Sequence, residues 1–247
     1  MSRLWASCQG TRHIHPLALS VTRVVKSQEQ VATLGLVDSI EEQLMLESLL
    51  ETSKPPLPET TTRHHYLLST PFRYPPLPYG SRFGSRLYSG LFYASLTEST
   101  ALAETAYYRF LFWNGMLTPP PSGRLTTEHT TFSVKVKCDQ GVRLEKPPFQ
   151  QHTNSISHPG DYQVSQSLGD AMRDAQVDAF TYVSARDPDR GINLGCFNLA
   201  AIASRTPENL ATWTCMTHAS QVSFLKAHEQ TIHLQFPIEC FLVDGRL

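Results

Sequence analysis

The sequence has little charge, and it contains no long apolar run. Only 17% of its 247 residues are charged, and the formal net charge is −1. Proteins that bind nucleic acids or anionic membranes usually present a strongly basic surface, so we expect neither partner. No run of about 18 apolar residues exists, so no membrane-spanning helix is predicted. The first twenty residues also lack the apolar core of a secretion signal.

Paired cysteine and histidine motifs are missing as well. The five cysteines are odd in number, and no two have the C-x-x-C spacing, which argues against a disulfide framework and against a zinc ribbon. The histidine clusters "HIH" (13–15) and "HH" (64–65) have no second ligand cluster at a useful spacing, so no metal site is predicted. We therefore expect a protein of the reducing cytoplasm.

Several widespread functional motifs are also absent. The chain has neither G-x-G-x-x-G nor G-x-x-x-x-G-K-[ST], so it offers no Rossmann fingerprint and no P-loop. It has no G-x-S-x-G elbow either, so Ser184 is not interpreted as an acyl-transfer nucleophile.

The chain is 40% apolar, which is enough to build a sizeable core. "VDSIEEQLMLESLLE" (37–51) predicts an amphipathic helix capped by Asp38 or Ser39, with an apolar stripe that needs a cover. Residues 1–27 show no clear period, and the proline-rich segment 52–62 reads as a linker. We therefore predict an N-terminal helical arm over 1–60 and a main domain over 61–247.

The main domain shows a mixture of strand and helix patterns. Thr97 is a good cap for a helix over 98–113 that closes at Gly115. The remaining patterns predict a helix at 164–177 and strands at 65–74, 86–96, 130–139, 178–183 and 192–203, with a "DQG" turn after 139 and further strands near the end, including "IECFLVDG". Few helices among many strands predict an α+β fold.

Three polar residues occur close together in the sequence. Arg82 lies between Gly80 and Gly84, which would let the backbone approach a ligand, and its planar guanidinium suits a diphosphate. Tyr93 lies in the next predicted strand, and Glu104 follows at the start of the next helix. Each residue also has an ordinary interpretation, since loop arginines and helical glutamates are commonly solvated. The pattern nevertheless predicts a shared cleft.

Other candidates stand further away in the sequence. Arg73 and Tyr74, in "PFRYPP", form a second candidate anion site, although the sequence favours an ordinary structural role for them. Ser184 ends an apolar strand at a turn, which is a common place for a ligand-binding group.

In combination, these segments resemble the RES domain family. The matching motifs are Gly80-Ser81-Arg82-Phe83, Phe92-Tyr93-Ala94-Ser95, Ala101-Leu102-Ala103-Glu104 and Tyr182-Val183-Ser184-Ala185-Arg186. The resemblance covers about residues 63 to 203. It departs from the family pattern at Gly84, where many members have asparagine, and at Val183, where many have proline.

The resemblance implies an ADP-ribosyltransferase-like fold, in which two small antiparallel sheets flank an NAD-binding cleft. It also implies a toxin of a toxin–antitoxin pair that cleaves the nicotinamide–ribose bond of NAD, by hydrolysis or by phosphorolysis. Glu104 would stabilise the ribosyl cation and Ser184 would contact the nicotinamide amide or the ribose. Arg82, Arg73 and Arg186 would bind NAD together with Tyr74 and Tyr93. NAD is then a substrate, and no cofactor is expected.

The resemblance further implies an Xre-type antitoxin that covers the cleft, and assembly as a homo-oligomer or a toxin–antitoxin complex. Two alternatives stay open. The chain could transfer ADP-ribose to a protein acceptor, or it could be a catalytically silent NAD-binding or interaction module.

Overall fold

The computed structural model describes residues 2–27, 37–55, 63–74, 76–226 and 231–247. In these residues the strands join in a single sheet with the order β1-β2-β5-β4-β3-β6-β7-β8. Their bounds are β1 (His15–Lys26), β2 (Phe92–Ser95), β3 (Leu125–Arg143), β4 (Ala179–Val183), β5 (Ile192–Cys196), β6 (Glu208–Thr217), β7 (Gln221–Lys226) and β8 (Ile232–Pro237).

Strand β1 closes part of this sheet on itself. It pairs antiparallel with β3 from His15 to Lys26, and it also meets β2, where Thr22 lies opposite Ser95. Strand β3 pairs in parallel with β4, and β4 pairs antiparallel with β5. The predicted α+β class is confirmed. The two separate antiparallel sheets that the resemblance implied are not confirmed, because hydrogen bonds join the described strands into one mixed sheet.

The helices are α1 (Arg3–Ser7), α2 (Ile40–Ser53), α3 (Tyr66–Arg73), α4 (Glu98–Asn114), α5 (Thr153–Ile156) and α6 (Gln163–Asp174). Helix α4 begins as predicted, because the Thr97 hydroxyl accepts a hydrogen bond from the backbone N–H of Thr100 at 3.2 Å. Its buried face includes Leu102 and Phe110, which pack with Trp213 of β6. This packing fixes the helix that carries Glu104 against the sheet.

Residues 2–27 are structured, although the sequence showed no clear period there. Leu17 and Val21 of β1 are each only 1% exposed, and Trp5 of α1 stacks on Phe149 with ring centroids 5.8 Å apart. The predicted arm and main domain therefore share one sheet through β1. The alternation of Leu17, Leu19 and Val21 was the signal for this strand.

Helix α2 confirms the helix predicted at 37–51. The Ser39 hydroxyl caps it by accepting a hydrogen bond from the N–H of Glu42. Three residues of the apolar stripe, Ile40, Leu44 and Leu49, are 73%, 67% and 61% exposed. The described residues therefore do not cover this stripe, which we expected to be buried. Most of the predicted linker, residues 56–62, lies outside the described residues.

Three local predictions were wrong. Residues 66–73 form α3 rather than a strand, because the Nδ1 atom of His65 caps the N–H of Leu67 and the apolar run is short enough to suit either element. Strand β3 runs through the expected "DQG" turn to Arg143, paired with both β1 and β4. "IECF" (238–241) is a 3₁₀ turn. Within the described ranges, no helix is long and apolar enough to cross a membrane.

Candidate functional site

A cavity of about 250 Å³ opens between the sheet and α4. Four residues that the sequence analysis proposed line it together: Arg82, Tyr93, Glu104 and Arg186. Its wall also contains residues to which the sequence analysis gave no role, among them Arg23 of β1, Ser95 of β2, Tyr162, Tyr182 of β4 and Asn193 of β5.

Glu104 is held in this cavity through one of its two carboxylate oxygens. Its Oε1 atom accepts hydrogen bonds from the Ser184 hydroxyl and from the Asn193 amide nitrogen, each at 2.6 Å. In the described part of the chain, Oε2 has no hydrogen-bond partner. The carboxylate therefore has one oxygen fixed by the protein and one available to a ligand.

Ser184 supports Glu104 and does not line the cavity. It is 2% exposed, and its oxygen accepts hydrogen bonds from the backbone N–H groups of Arg186 at 3.1 Å and Asp187 at 2.9 Å. A hydroxyl has a single proton, and here that proton goes to Glu104. The structure thus places Ser184 behind Glu104 and not in the cavity wall, and its direct contact with a substrate stays a prediction.

The turn that contains Arg82 is hydrogen-bonded to the side chain of Tyr93. The Tyr93 oxygen accepts a hydrogen bond from the N–H of Phe83 at 3.0 Å and shares another with the Ser81 hydroxyl at 2.9 Å. Burial raises the pKa of Tyr93, so its phenol stays protonated near neutral pH. Gly80 opens the turn with a φ of +70°, where a Cβ atom would lie 2.2 Å from the Gly84 carbonyl oxygen.

Arg82 and Arg186 both donate to the loop that contains His158 and Pro159. Arg82 donates from Nη1 to the carbonyl oxygen of His158 at 2.7 Å, and Arg186 donates from Nη2 to that of Pro159 at 2.5 Å. Each guanidinium also lies against an aromatic ring, since Arg82 is 4.6 Å from the centroid of Tyr162 and Arg186 is 3.4 Å from that of Tyr107. Stacking of this kind orients the planar group and leaves its edge free to donate.

Arg23 is a third cation of the cavity. Its guanidinium lies 4.7 Å from the centroid of the Phe92 ring, and its Nη1 atom is buried without a hydrogen-bond partner in the described residues. Burial lowers the pKa of Arg23 to about 10. A buried donor left unpaired is costly, and this one suggests a place for a ligand oxygen. Sequence reasoning missed it because β1 was missed.

Tyrosine rings form the rest of the wall. Tyr182 is 5% exposed, and burial raises its pKa well above the usual range. Tyr162 is the N-cap residue of α6, and its ring contacts the guanidinium of Arg82. Rings in this arrangement offer flat apolar surface to a flat ligand group.

Arg73 and Tyr74 lie outside this cavity. Arg73 forms an ion pair with Glu51 of α2 at 2.7 Å and donates from Nε to the carbonyl oxygen of Pro55. Tyr74 follows at the end of α3 and is 39% exposed. The structure therefore corrects their expected placement, since Arg73 joins α2 to α3.

Three guanidinium groups and a carboxylate thus share a cavity with tyrosine rings. The arginines suit the oxygens of a phosphate or carboxylate. The free Glu104 oxygen suits a reaction centre that becomes positive. Among the described residues, no three His, Cys, Asp or Glu side chains gather as a metal site would need.

The comparison with protein-family models agrees with the motifs. No curated protein matches the chain. One similar solved structure, at 9% identity and a TM-score of 0.47, covers 94% of this chain and 93% of its own; it is titled as the crystal structure of the M. tuberculosis MbcT–MbcA toxin–antitoxin complex. The model of the RES domain matches residues 57–218, which is more than half of the chain, and the protein therefore belongs to the RES domain family.

Proposed function

We propose that this protein cleaves the bond between nicotinamide and ribose in NAD. The observation that carries the proposal is the state of Glu104, whose Oε1 is held by Ser184 and Asn193 while Oε2 is left free in a cavity that also contains arginines. Cleavage of NAD passes through a ribosyl cation, as glycoside cleavage does. A carboxylate fixed beside that cation lowers the barrier.

The other cavity residues would bind the rest of the substrate. Arg82, Arg186 and Arg23 would contact the diphosphate, and Tyr93 and Tyr182 would frame the nicotinamide ring. A volume of about 250 Å³ is smaller than cavities that enclose a whole drug-sized ligand. We therefore assign the cavity to the nicotinamide, its ribose and the diphosphate oxygens beside them, with the adenosine end lying outside it.

The proposed reaction needs no redox partner. The bond between ribose C1′ and the nicotinamide nitrogen breaks, and its electron pair stays on that nitrogen, which becomes neutral. An oxygen of water or phosphate then forms a bond to C1′ and loses its proton to solvent. The products are nicotinamide and either ADP-ribose or its phosphate ester.

The test compares the wild type with Glu104→Gln, using Glu208→Gln as the matched control. Glu208 is a half-exposed carboxylate outside the cavity that pairs with Lys135 of β3 at 3.3 Å. Nicotinamide release from NAD is measured, and the product is weighed by mass spectrometry with and without phosphate. We expect Glu104→Gln to be about 10²–10³-fold slower and Glu208→Gln to match the wild type. Equal rates for wild type and Glu104→Gln would refute the role of Glu104.

The same experiment separates the alternatives. ADP-ribose found on a protein would support the transferase alternative. NAD binding without nicotinamide release would support the silent module.

We also propose that the protein acts as a toxin whose partner is an antitoxin of the Xre type. Membership of the RES family supports this, and so does the accessible cationic wall, to which a partner could offer a carboxylate beside Arg82. Expression of the wild type alone should lower cellular NAD and stop growth, whereas Glu104→Gln should do neither. Normal NAD in cells that accumulate folded wild-type protein would refute the toxin proposal.

A further inference from the structure

Ser95 and Asn193 form a buried polar pair behind Glu104. They face each other across the antiparallel pairing of β2 and β5, where they are register partners. Ser95 is 3% exposed and Asn193 is 2% exposed. Polar side chains at this depth need partners, and the sheet places these two directly against each other.

The chemistry of the three groups fixes the direction of their hydrogen bonds. The Glu104 carboxylate only accepts, so Asn193 must present its amide nitrogen to it, at 2.6 Å. The amide oxygen then faces Ser95, and the Ser95 hydroxyl donates to it at 2.6 Å. Glu104 therefore selects the amide nitrogen, and Ser95 holds the amide in that orientation by binding its oxygen.

The hydrogen bonds that run from Ser95 through Asn193 to Glu104, here called the relay, restrict how the carboxylate can rotate. Asn193 and Ser184 both donate to Oε1, from β5 and from the residue after β4. Two short bonds to one oxygen fix the rotation of the carboxylate about its last side-chain bond. The other oxygen, Oε2, is then held toward the cavity rather than exchanging with Oε1.

We propose that Ser95 and Asn193 are positioning residues, which fix Glu104 so that Oε2 meets the ribose of the substrate. The proposal rests on the proposed cleavage of NAD and adds to it two residues that do not touch the reacting atoms. Their loss should slow the chemical step and leave substrate binding nearly unchanged, because the arginines that hold the diphosphate are separate groups.

Asn193→Asp tests the relay at its centre. The substitution keeps the size and the oxygen that accepts from Ser95, but it replaces the donor facing Glu104 by a second carboxylate oxygen. We expect kcat to fall about 100-fold or more, with KM for NAD changed by less than about threefold. Asn209→Asp is the matched control, since Asn209 donates to Ser133 at 2.8 Å on the surface of β3.

Ser95→Ala is a milder second variant. It removes the bond that holds the amide oxygen of Asn193, so the amide is less firmly oriented, and we expect kcat to fall about tenfold with KM again unchanged. Ser69→Ala is its control, because Ser69 is another buried serine, 2% exposed, whose hydroxyl bonds to Tyr66 within α3. Thermal unfolding shows that each variant is folded, and Ser95→Ala keeps the test open if Asn193→Asp fails to fold.

The outcomes separate this proposal from the proposed function. Wild-type kcat in both folded variants, or a rise in KM with kcat unchanged, would overturn the positioning role. If the wild type releases no nicotinamide, the proposed function fails. In that case a crystal structure of Ser95→Ala decides the positioning role: a rotated Glu104 carboxylate supports it, and an unmoved one overturns it.

Discussion

Arg82 donates a hydrogen bond of 2.7 Å to the carbonyl oxygen of His158, a residue 76 positions further along the chain. Arg186 makes the equivalent bond to Pro159. Each of these two guanidinium groups therefore gives one of its N–H donors to a neutral backbone oxygen. A diphosphate would offer them charged oxygens, which form stronger hydrogen bonds. Substrate binding should then exchange these carbonyl contacts for phosphate contacts.

The first prediction concerns Arg82→Lys. The lysine keeps the charge but loses the planar fork that can hold two oxygens at once. We expect KM for NAD to rise about tenfold or more, with little change in melting temperature. Arg73→Lys is the control, because Arg73 pairs with Glu51 outside the cavity. An unchanged KM combined with a lower melting temperature would make Arg82 a structural residue.

Local patterns predicted the elements with strong end signals. Helix α4 has a threonine cap, a helical period and a closing glycine, and its bounds were predicted within a residue. Strand β1 has the alternation of a half-buried strand in "PLALSV", but its polar continuation hid the pattern. Helix α3 was predicted as a strand because eight residues with an internal Pro71 carry too short a period to distinguish the two.

The candidate site was predictable only in part. The family motifs named Arg82, Tyr93, Glu104 and Arg186, which the fold brings to one cavity. Asn193 lies 89 positions from Glu104, and its role comes from the pairing of β2 with β5, which the local sequence does not reveal. Arg73 was a second candidate from its local sequence, and its ion pair with Glu51 shows that it lies away from the cavity.

The second prediction concerns Gly80→Ala. An alanine Cβ would lie 2.2 Å from the backbone oxygen of Gly84, which cannot move without breaking the Ser81–Gly84 bridge that shapes the Arg82 turn. The positive φ alone costs about 1 kcal/mol for an L-residue. We expect both a lower melting temperature and a higher KM for NAD.

Gly123→Ala is the matched control for this change. Gly123 also has a positive φ, +65°, but a Cβ there would meet nothing within 4 Å. This variant should show the conformational cost without any change in KM. If both variants have wild-type KM, the shape of the Arg82 turn does not govern substrate binding.

The third prediction is a pH dependence of stability caused by His129. Burial lowers the pKa of this histidine from 6.5 to about 4, helped by the charges of Arg109 and Lys26. Between these values the unfolded chain binds a proton that the folded chain does not, so acidification favours unfolding. The free energy of unfolding should fall by about 1.5 kcal/mol from pH 6.5 to pH 5.

Urea unfolding at these two pH values measures the effect. His129→Gln removes the titrating group, so its stability should depend less on pH than that of the wild type. His15→Gln changes an exposed histidine of β1 and should leave the wild-type dependence intact. An equal dependence in wild type and His129→Gln would contradict the prediction.

The last prediction concerns Arg23, the cation that lies on β1, outside the part of the chain matched by the RES model. Its Nη1 atom is buried without a partner in the described residues, and its lowered pKa reflects the cost of that burial. An apolar residue of similar reach should be easier to bury than an unpaired guanidinium. Arg23→Met should therefore fold with equal or greater stability than the wild type. It should also bind NAD about tenfold or more weakly, because the vacant donor would serve the substrate's diphosphate. Isothermal calorimetry with NAD in the Glu104→Gln background separates binding from turnover, and thermal unfolding gives the stability. A variant that loses stability while keeping its NAD affinity would show that Arg23 supports the sheet and does not bind the substrate.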